Sequence, residues 1–324
     1  PVCALCMENE GYRGRAGAAA RSNHRIVRLP LFGENSGFQY SPYSYYNEHC
    51  IILSEEHVPM HVTEETIANL LEIVTLFPHY FIGSNAGLPI VGGSILSHEH
   101  YQGGRHHFPM EAAKVLRTLA LEGFPEVEAE VLFWPLSVIR LRSEDRDVVA
   151  AAACTIMEEW QNYNDPQAEI LAESAGMRHN AVTLVARRVG EAYELDVVLR
   201  NNRTSEAFPD GIFHPHPDVQ HIKKENIGLI EVLGLAILPP RLDTELNEVA
   251  DYLLGKTADV ASCHREWAEE LKQQGPFEAD SVMEMIQEAV GEKFLRVIED
   301  AGVYKQTPAG QAGFYRFLST LENK

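Results

Sequence analysis

No apolar run in this chain approaches the roughly 18 to 20 residues that span a bilayer, and no basic-then-apolar stretch opens it. A soluble, cytoplasmic protein with no membrane partner is therefore the expectation. Positive charge is also scarce: 27 Lys and Arg face 47 Asp and Glu, for a formal net charge of -20. That balance argues against broad binding to nucleic acid or anionic lipid, but it leaves a small anionic substrate open. The five cysteines are odd in number and too few for a disulfide framework in 324 residues. Cys50, Cys154 and Cys263 read as small buried hydrophobes. There is no low-complexity stretch and no clear linker. Nor is there an initiating methionine: the chain opens at Pro1 with a cysteine pair almost at once, so further sequence upstream is expected.

What is present supports a large core, with 45% apolar residues against 23% charged. From His24 to Leu53, aromatic and β-branched residues broken by Gly-Glu-Asn-Ser-Gly and Ser-Pro predict antiparallel strands. A helix should follow, capped by Thr63, with Ile67, Leu70, Leu71 and Val74 on one face. Tyr80 to Gly83 then reads as a strand. The second half repeats the order loosely, with strands in Val127 to Leu141, a helix near Asp145 to Tyr163 and a hairpin from Ala181 to Arg200. Residues from Thr244 onward show helical periodicity with breaks at Gly255, Gly275-Pro276 and Pro308. The predicted class is α+β: antiparallel sheets with flanking helices, in two loosely related halves (1–125 and 126–243) and a helical C-terminal extension (244–324).

The segment most loaded with chemistry is Ile95 to Gln102. If it is extended, Leu96, His98, His100 and Gln102 share one face, and Ser97, Glu99 and Tyr101 the other. Two imidazoles and an amide then stand where a half-buried strand would normally carry apolar side chains, a break in local pattern typical of a functional site. A neutral imidazole is a competent nucleophile towards activated phosphorus. Gln102 can donate to a non-bridging oxygen without adding charge. Glycine pairs at Gly92-Gly93 and Gly103-Gly104 would admit phosphate close to the backbone, and Arg105 is a candidate phosphate contact. The competing reading is a metal-binding or surface histidine strand.

Cys3 and Cys6 have the spacing of half a zinc site. With no second Cys-x-x-Cys, the remaining ligands must be histidines, and His57 and His98 are available; two reduced thiols near a chain end are the alternative. His214, His216 and His221 form another cluster, either a second metal site or a solvated loop. Arg13, Arg15, Arg21, Arg25 and Arg28, with no acid among them, form either a phosphate-receiving segment or a solvated loop.

The run Gly92-Gly93-Ser94-Ile95-Leu96-Ser97-His98-Glu99-His100-Tyr101-Gln102-Gly103-Gly104-Arg105 closely resembles the type 2 (bacterial) galactose-1-phosphate uridylyltransferases. So do Cys-x-Leu-Cys-Met-Glu-Asn-Glu-Gly-Tyr near the start and Phe-Gln-Tyr-Ser-Pro-Tyr from Phe38. The family belongs to the histidine-triad superfamily, and its better-known branch has His-Pro-His-Pro-Gln at the position of His98-Glu99-His100-Tyr101-Gln102. The resemblance implies two histidine-triad-like halves and uridylyl transfer from UDP-glucose to galactose 1-phosphate through His100. It implies Gln102 as phosphate-orienting partner and zinc on Cys3, Cys6, His57 and His98. It further implies Asn85 at the phosphates and Asn23 near the uracil, while Ser94 sits one position off the matching serine. Members are longer at the N-terminus, so the resemblance implies the C-terminal part of such an enzyme. Where the other branch has Gly-Tyr-Glu for the hexose, this chain has Gly234-Leu235-Ala236, without the carboxylate. A homodimer, a nucleoside polyphosphate phosphorylase or hydrolase acting through the same histidine, and a non-catalytic zinc-stabilised module all stay open.

Overall fold

The computed structural model describes residues 1–93 and 95–322. After an irregular N-terminal segment, the chain forms β1 (Val27–Leu31), β2 (Glu34–Tyr40), β3 (Cys50–Ser54), α1 (Glu64–Leu76), β4 (Phe81–Ser84) and β5 (His100–Gly104). It continues through β6 (Val115–Leu119), β7 (Glu128–Leu132), β8 (Val138–Ser143), α2 (Arg146–Asn162), the short pair β9 (Glu173–Ser174) and β10 (Met177–Arg178), β11 (Asn180–Val189) and β12 (Ala192–Asn201). The rest is helical: α3 (Leu229–Val232), α4 (Leu242–Leu253), α5 (Arg265–Lys272), α6 (Val282–Ala301) and α7 (Pro308–Glu322). None of the described helices is long and apolar enough to cross a membrane.

Ten strands make one antiparallel sheet in the order β1-β2-β3-β5-β4-β11-β12-β8-β7-β6. Read from either edge, the order is the same: a hairpin, a third strand, then the fifth strand of the unit placed inside that third strand and beside the fourth. In each half a long helix, α1 or α2, links the third strand to the next long one. The two halves meet at β4 and β11, through Leu184↔Ser84, Val185↔Gly83 and Ala186↔Ile82.

Local chemistry explains the helix starts. The Thr63 N–H donates to Thr66 Oγ1, closing the first turn of α1. Asp145 accepts the Asp147 and Val148 amides at the head of α2. Pro308 opens α7 as its first residue, where a missing N–H costs nothing. Alternation along the strands sends Ile52, Ile82, Leu184 and Leu195 to one face, under α1, α2 and α7. Phe81, Val138, Val185 and Val198 go to the other, against α3 and α6. A separate cluster around Trp267 and Ile286 holds α4, α5 and α6 together.

Three expectations change. The strand at the histidine motif starts only at His100, so residues 95–99 are not part of it. Gly103 and Gly104 serve the sheet rather than an anion. β5 lies squeezed between β3 and β4, and a Cβ on Gly103 would come within 2.6 Å of Phe81 O. Cys263 is exposed, whereas Cys50 is buried and Cys154 half-buried. Gly103→Ala is expected to lower stability by about 1–3 kcal/mol through overpacking at that strand crossing. Denaturant midpoints will check this, and an unchanged midpoint would show that the sheet can widen.

Candidate active site

The second face of the sheet, opposite α1 and α2, carries a cavity of about 640 Å³, within the range of small-molecule sites. Its floor is β3 and β5, through Ile51, His100 and Gln102; Asn85 and Gly93 form one side, and the segment from Lys223 to Ile237 the other. The walls thus come from parts of the chain more than a hundred residues apart in sequence, which only the sheet brings together.

His100 and Gln102 alternate with Tyr101, so both reach the cavity while Tyr101 packs into the core beneath α1 and receives a hydrogen bond from Asn69. His100 lines the cavity although it is only 5% exposed. Its Nδ1–H donates to the carbonyl of His98 at 2.8 Å, which leaves the lone pair on Nε2. Burial pushes its pKa down to about 4, so the imidazole is neutral at physiological pH. Gln102 Oε1 lies 3.2 Å from His49 Nε2. With that imidazole donating, the amide carbonyl is held and its NH₂ is available to the cavity. His49 is itself buried, and desolvation lowers its pKa, so it too is neutral.

Asn85 is buried at the cavity edge and accepts the Leu229 amide on Oδ1 at 2.8 Å. Gly93 has to be small, since a Cβ there would meet Asn85 Nδ2 at 2.7 Å. Across the cavity Lys223 is buried, donating to Glu231 Oε1 at 2.9 Å and to the Ile237 carbonyl at 2.7 Å. The pair brings a cation and an anion to the wall with little net charge.

His98 leaves the row expected of it. Its Nε2–H donates to the Ser54 carbonyl at 2.9 Å, so Nδ1 carries the lone pair, 3.3 Å from Cys3 Sγ. The His57 ring lies beside it, tilted by 35° with centroids 4.3 Å apart, and donor atoms of Cys3, Cys6 and His57 lie within 4.8 Å of one another. The Leu5 and Cys6 amides point at Cys3 Sγ, at 3.3 and 3.2 Å. Asn9 ties the loop by donating to the carbonyls of Cys3 and Cys6, both at 2.9 Å. The converging groups are two sulfurs and one imidazole, donor types that suit zinc, and the oriented His98 Nδ1 lies beside Cys3 but outside that group of three.

Other predicted residues lie apart. Asn23 is exposed, and Arg105, also exposed, reaches Glu48 at 4.0 Å; neither lines the cavity. Ser94 lies outside the described residues. Arg21 and Arg28 hold the N-terminal segment in place through Ala4 O and Glu10, rather than facing the cavity. His214, His216 and His221 do not converge. His214 is buried beside Gly211, His216 stacks on Phe208 at 4.2 Å, and His221 faces His264. Sequence reading passed over His49, Lys223 and Glu231. The polar run Lys223-Lys224-Glu225-Asn226 just before an apolar stretch was the available signal for Lys223.

A family model described as galactose-1-phosphate uridyl transferase, C-terminal domain, matches residues 72–269, from α1 into α5 and across most of the cavity wall. The chain belongs to this family. A galactose-1-phosphate uridylyltransferase of Streptococcus thermophilus is 57% identical over 319 residues, 98% of this chain and 65% of that protein. One from Lactiplantibacillus plantarum is 57% identical over 323 residues, 100% of this chain and 66% of its own length. The chain thus spans slightly under two thirds of the length of these curated relatives. Among solved structures, a DUF4931 family protein from Bacillus cereus aligns with 57% of this chain and 88% of its own, at a TM-score of 0.37 and 12% identity, too loose a likeness to support an argument.

Proposed function

We propose that this chain carries the transfer centre of a UDP-glucose:hexose-1-phosphate uridylyltransferase, moving UMP from UDP-glucose to galactose 1-phosphate by double displacement. The observation that carries the reading is the pairing of the free Nε2 of His100 with the Gln102 amide on one cavity wall. In the first half-reaction Nε2 attacks the α-phosphorus of UDP-glucose. The N–P bond forms, the bridging P–O bond breaks, and glucose 1-phosphate leaves. In the second, a phosphate oxygen of galactose 1-phosphate attacks the same phosphorus and frees the imidazole. The Gln102 NH₂ donates to a non-bridging oxygen, and Asn85 supports the diphosphate.

The Lys223–Glu231 pair supports a polar sugar-phosphate end. Glu231 supplies, three positions before Gly234, a carboxylate that the Gly234-Leu235-Ala236 segment lacks. Cys3, Cys6, His57 and His98 would hold zinc, whose contribution when bound is to fix the segment that leads into His100. We read the mirrored strand order as two copies of a histidine-triad-like unit, β1–β5 and β6–β12, which puts the boundary between Gly104 and Val115 rather than at 125, followed by a helical extension, 244–324.

Incubation with UDP-glucose labelled on the α-phosphorus, followed by denaturing separation, should leave acid-labile label on the protein, and added galactose 1-phosphate should discharge it as UDP-galactose. Label released only as free UMP would point to a hydrolase instead, and an unlabelled protein would reject the scheme. His49→Ala should lower kcat roughly 100-fold with little change in KM, because the Gln102 amide loses its orientation. His49→Gln, which can still donate, should recover most of it. A kcat within twofold of the parent for His49→Ala would remove His49 from the mechanism.

A further inference from the structure

The C-terminal helices carry a second group of donor side chains, none of which lines the cavity. Glu245 on α4, with Cys263 and His264 in the turn before α5, bring a carboxylate oxygen, a sulfur and an imidazole nitrogen within 4.8 Å of one another. His264 is fully buried and Cys263 exposed, so an ion held between them would have one dry side and one side open to water.

The surroundings of His264 are those of an oriented ligand. Its Nε2 lies 2.8 Å from Glu245 Oε2, and its Nδ1 lies 2.8 Å from Nδ1 of His221. Two ring nitrogens at that separation share one proton; with Nε2–H donating to the Glu245 carboxylate, His221 Nδ1 carries it and His264 Nδ1 accepts, an arrangement that a proton shift within the two rings can reverse. Arg241 holds Glu245 by Oε2, and Oε1 has no partner among the described residues. Trp267 packs beside both rings, with centroids 5.2 and 5.9 Å away, and limits their movement.

We propose that Glu245, Cys263 and His264 Nε2 bind one divalent transition metal, with His221 accepting the His264 Nδ1 proton and water filling the open position. The mixed oxygen, sulfur and nitrogen donors suit zinc, and the open position suits three protein ligands. Protons balance as follows. His264 shifts its proton from Nε2 to Nδ1 and donates it to His221 Nδ1, His221 carries its own on Nε2, and the Cys263 thiol releases one to solvent. The ion would clamp α4 to α5 and the loop of His221 to both, joining the helical extension to the segment that ends at Lys223 on the cavity wall.

Metal analysis of the purified, desalted protein tests this through the difference between parent and variant, whatever the N-terminal site holds. Cys263→Ser, a change at an exposed position, should cost the protein one equivalent of zinc under a fixed chelator concentration. His221→Gln should weaken that equivalent by about 10–100-fold, as loss of an orienting partner does. In a Cys3→Ser/Cys6→Ser background, cobalt substitution should still give thiolate-to-metal charge-transfer absorption, which Cys263→Ser should abolish. Unchanged zinc content in Cys263→Ser, or no such absorption in the double-serine background, would overturn the proposal.

Discussion

A His100→Gly chain is expected to lose at least about 10⁴-fold in kcat for uridylyl transfer, the scale seen when a covalent nucleophile is removed. The size follows from how completely the site depends on one atom. Nδ1 is committed to the His98 carbonyl, so Nε2 alone can attack, and burial keeps it unprotonated at working pH. None of the neighbours is placed to substitute: Gln102 is an amide, the Lys223 ammonium is engaged by Glu231 and Ile237 O, and His49 Nε2 is engaged by Gln102 Oε1. The variant should fold, because the side chain faces the cavity and makes one hydrogen bond to its own segment. It should also accept imidazole supplied in solution with an activated uridylyl donor, since the removed ring leaves space of its own shape. Steady-state rates, with the thermal midpoint as a fold control, decide the matter. A folded variant within tenfold of the parent would show that the phosphorus never bonds to this ring, and the double-displacement scheme would fall.

Much of this architecture could be read from residue order. The cap at Thr63, the helix near Asp145 to Tyr163 and the hairpin from Ala181 to Arg200 fall within a residue or two of α1, α2 and β11–β12, and the strand-rich stretch from His24 to Leu53 holds β1–β3 without marking their separate ends. The mirrored sheet order was only a loose repeat in sequence, because topology depends on where apolar side chains fall and not on which they are. The His98 side chain was misplaced for a different reason. Period-2 reasoning holds only inside a paired ladder, and β3 pairs with β5 no further than Leu53↔His100. Beyond that point His98 answers to the Ser54 carbonyl and Cys3, which turn it away from the cavity. Gly103 and Gly104 were legible as glycines needed for close approach, but the approaching groups are backbone carbonyls, Phe81 O and Glu48 O, not phosphate. Glu231 was hidden because it reaches the cavity wall only when the fold sets its segment opposite His100 and Gln102, more than a hundred residues earlier, a placement that no local pattern encodes.

Asp196→Ala is expected to cost about 3–5 kcal/mol, the range for removing one partner of a buried ion pair. Asp196 sits on β12, fully buried between two guanidinium groups. Arg140 from β8 reaches it with Nε at 2.7 Å, and Arg187 from β11 with NH2 at 2.6 Å, so one carboxylate bridges three adjacent strands. Among the described residues Glu194 is the only other acid close to both, 3.0 Å from Arg187 and 3.5 Å from Arg140, and it is also engaged by Arg142. Without Asp196, two buried cations share that one carboxylate. Arg140 keeps the carbonyls of Met110 and Glu111, but Arg187 keeps Glu194 alone. The loss is therefore a desolvated charge left with only a shared partner, and removing that charge should reverse it. Asp196→Ala/Arg187→Met should recover more than half of the deficit, because a methionine stem fills the same channel without a charge to solvate. Urea midpoints at constant m-value will separate these outcomes. An Asp196→Ala chain within 1 kcal/mol of the parent would mean that water reaches the two guanidiniums, and that the centre of the sheet is wetter than its side-chain burial indicates.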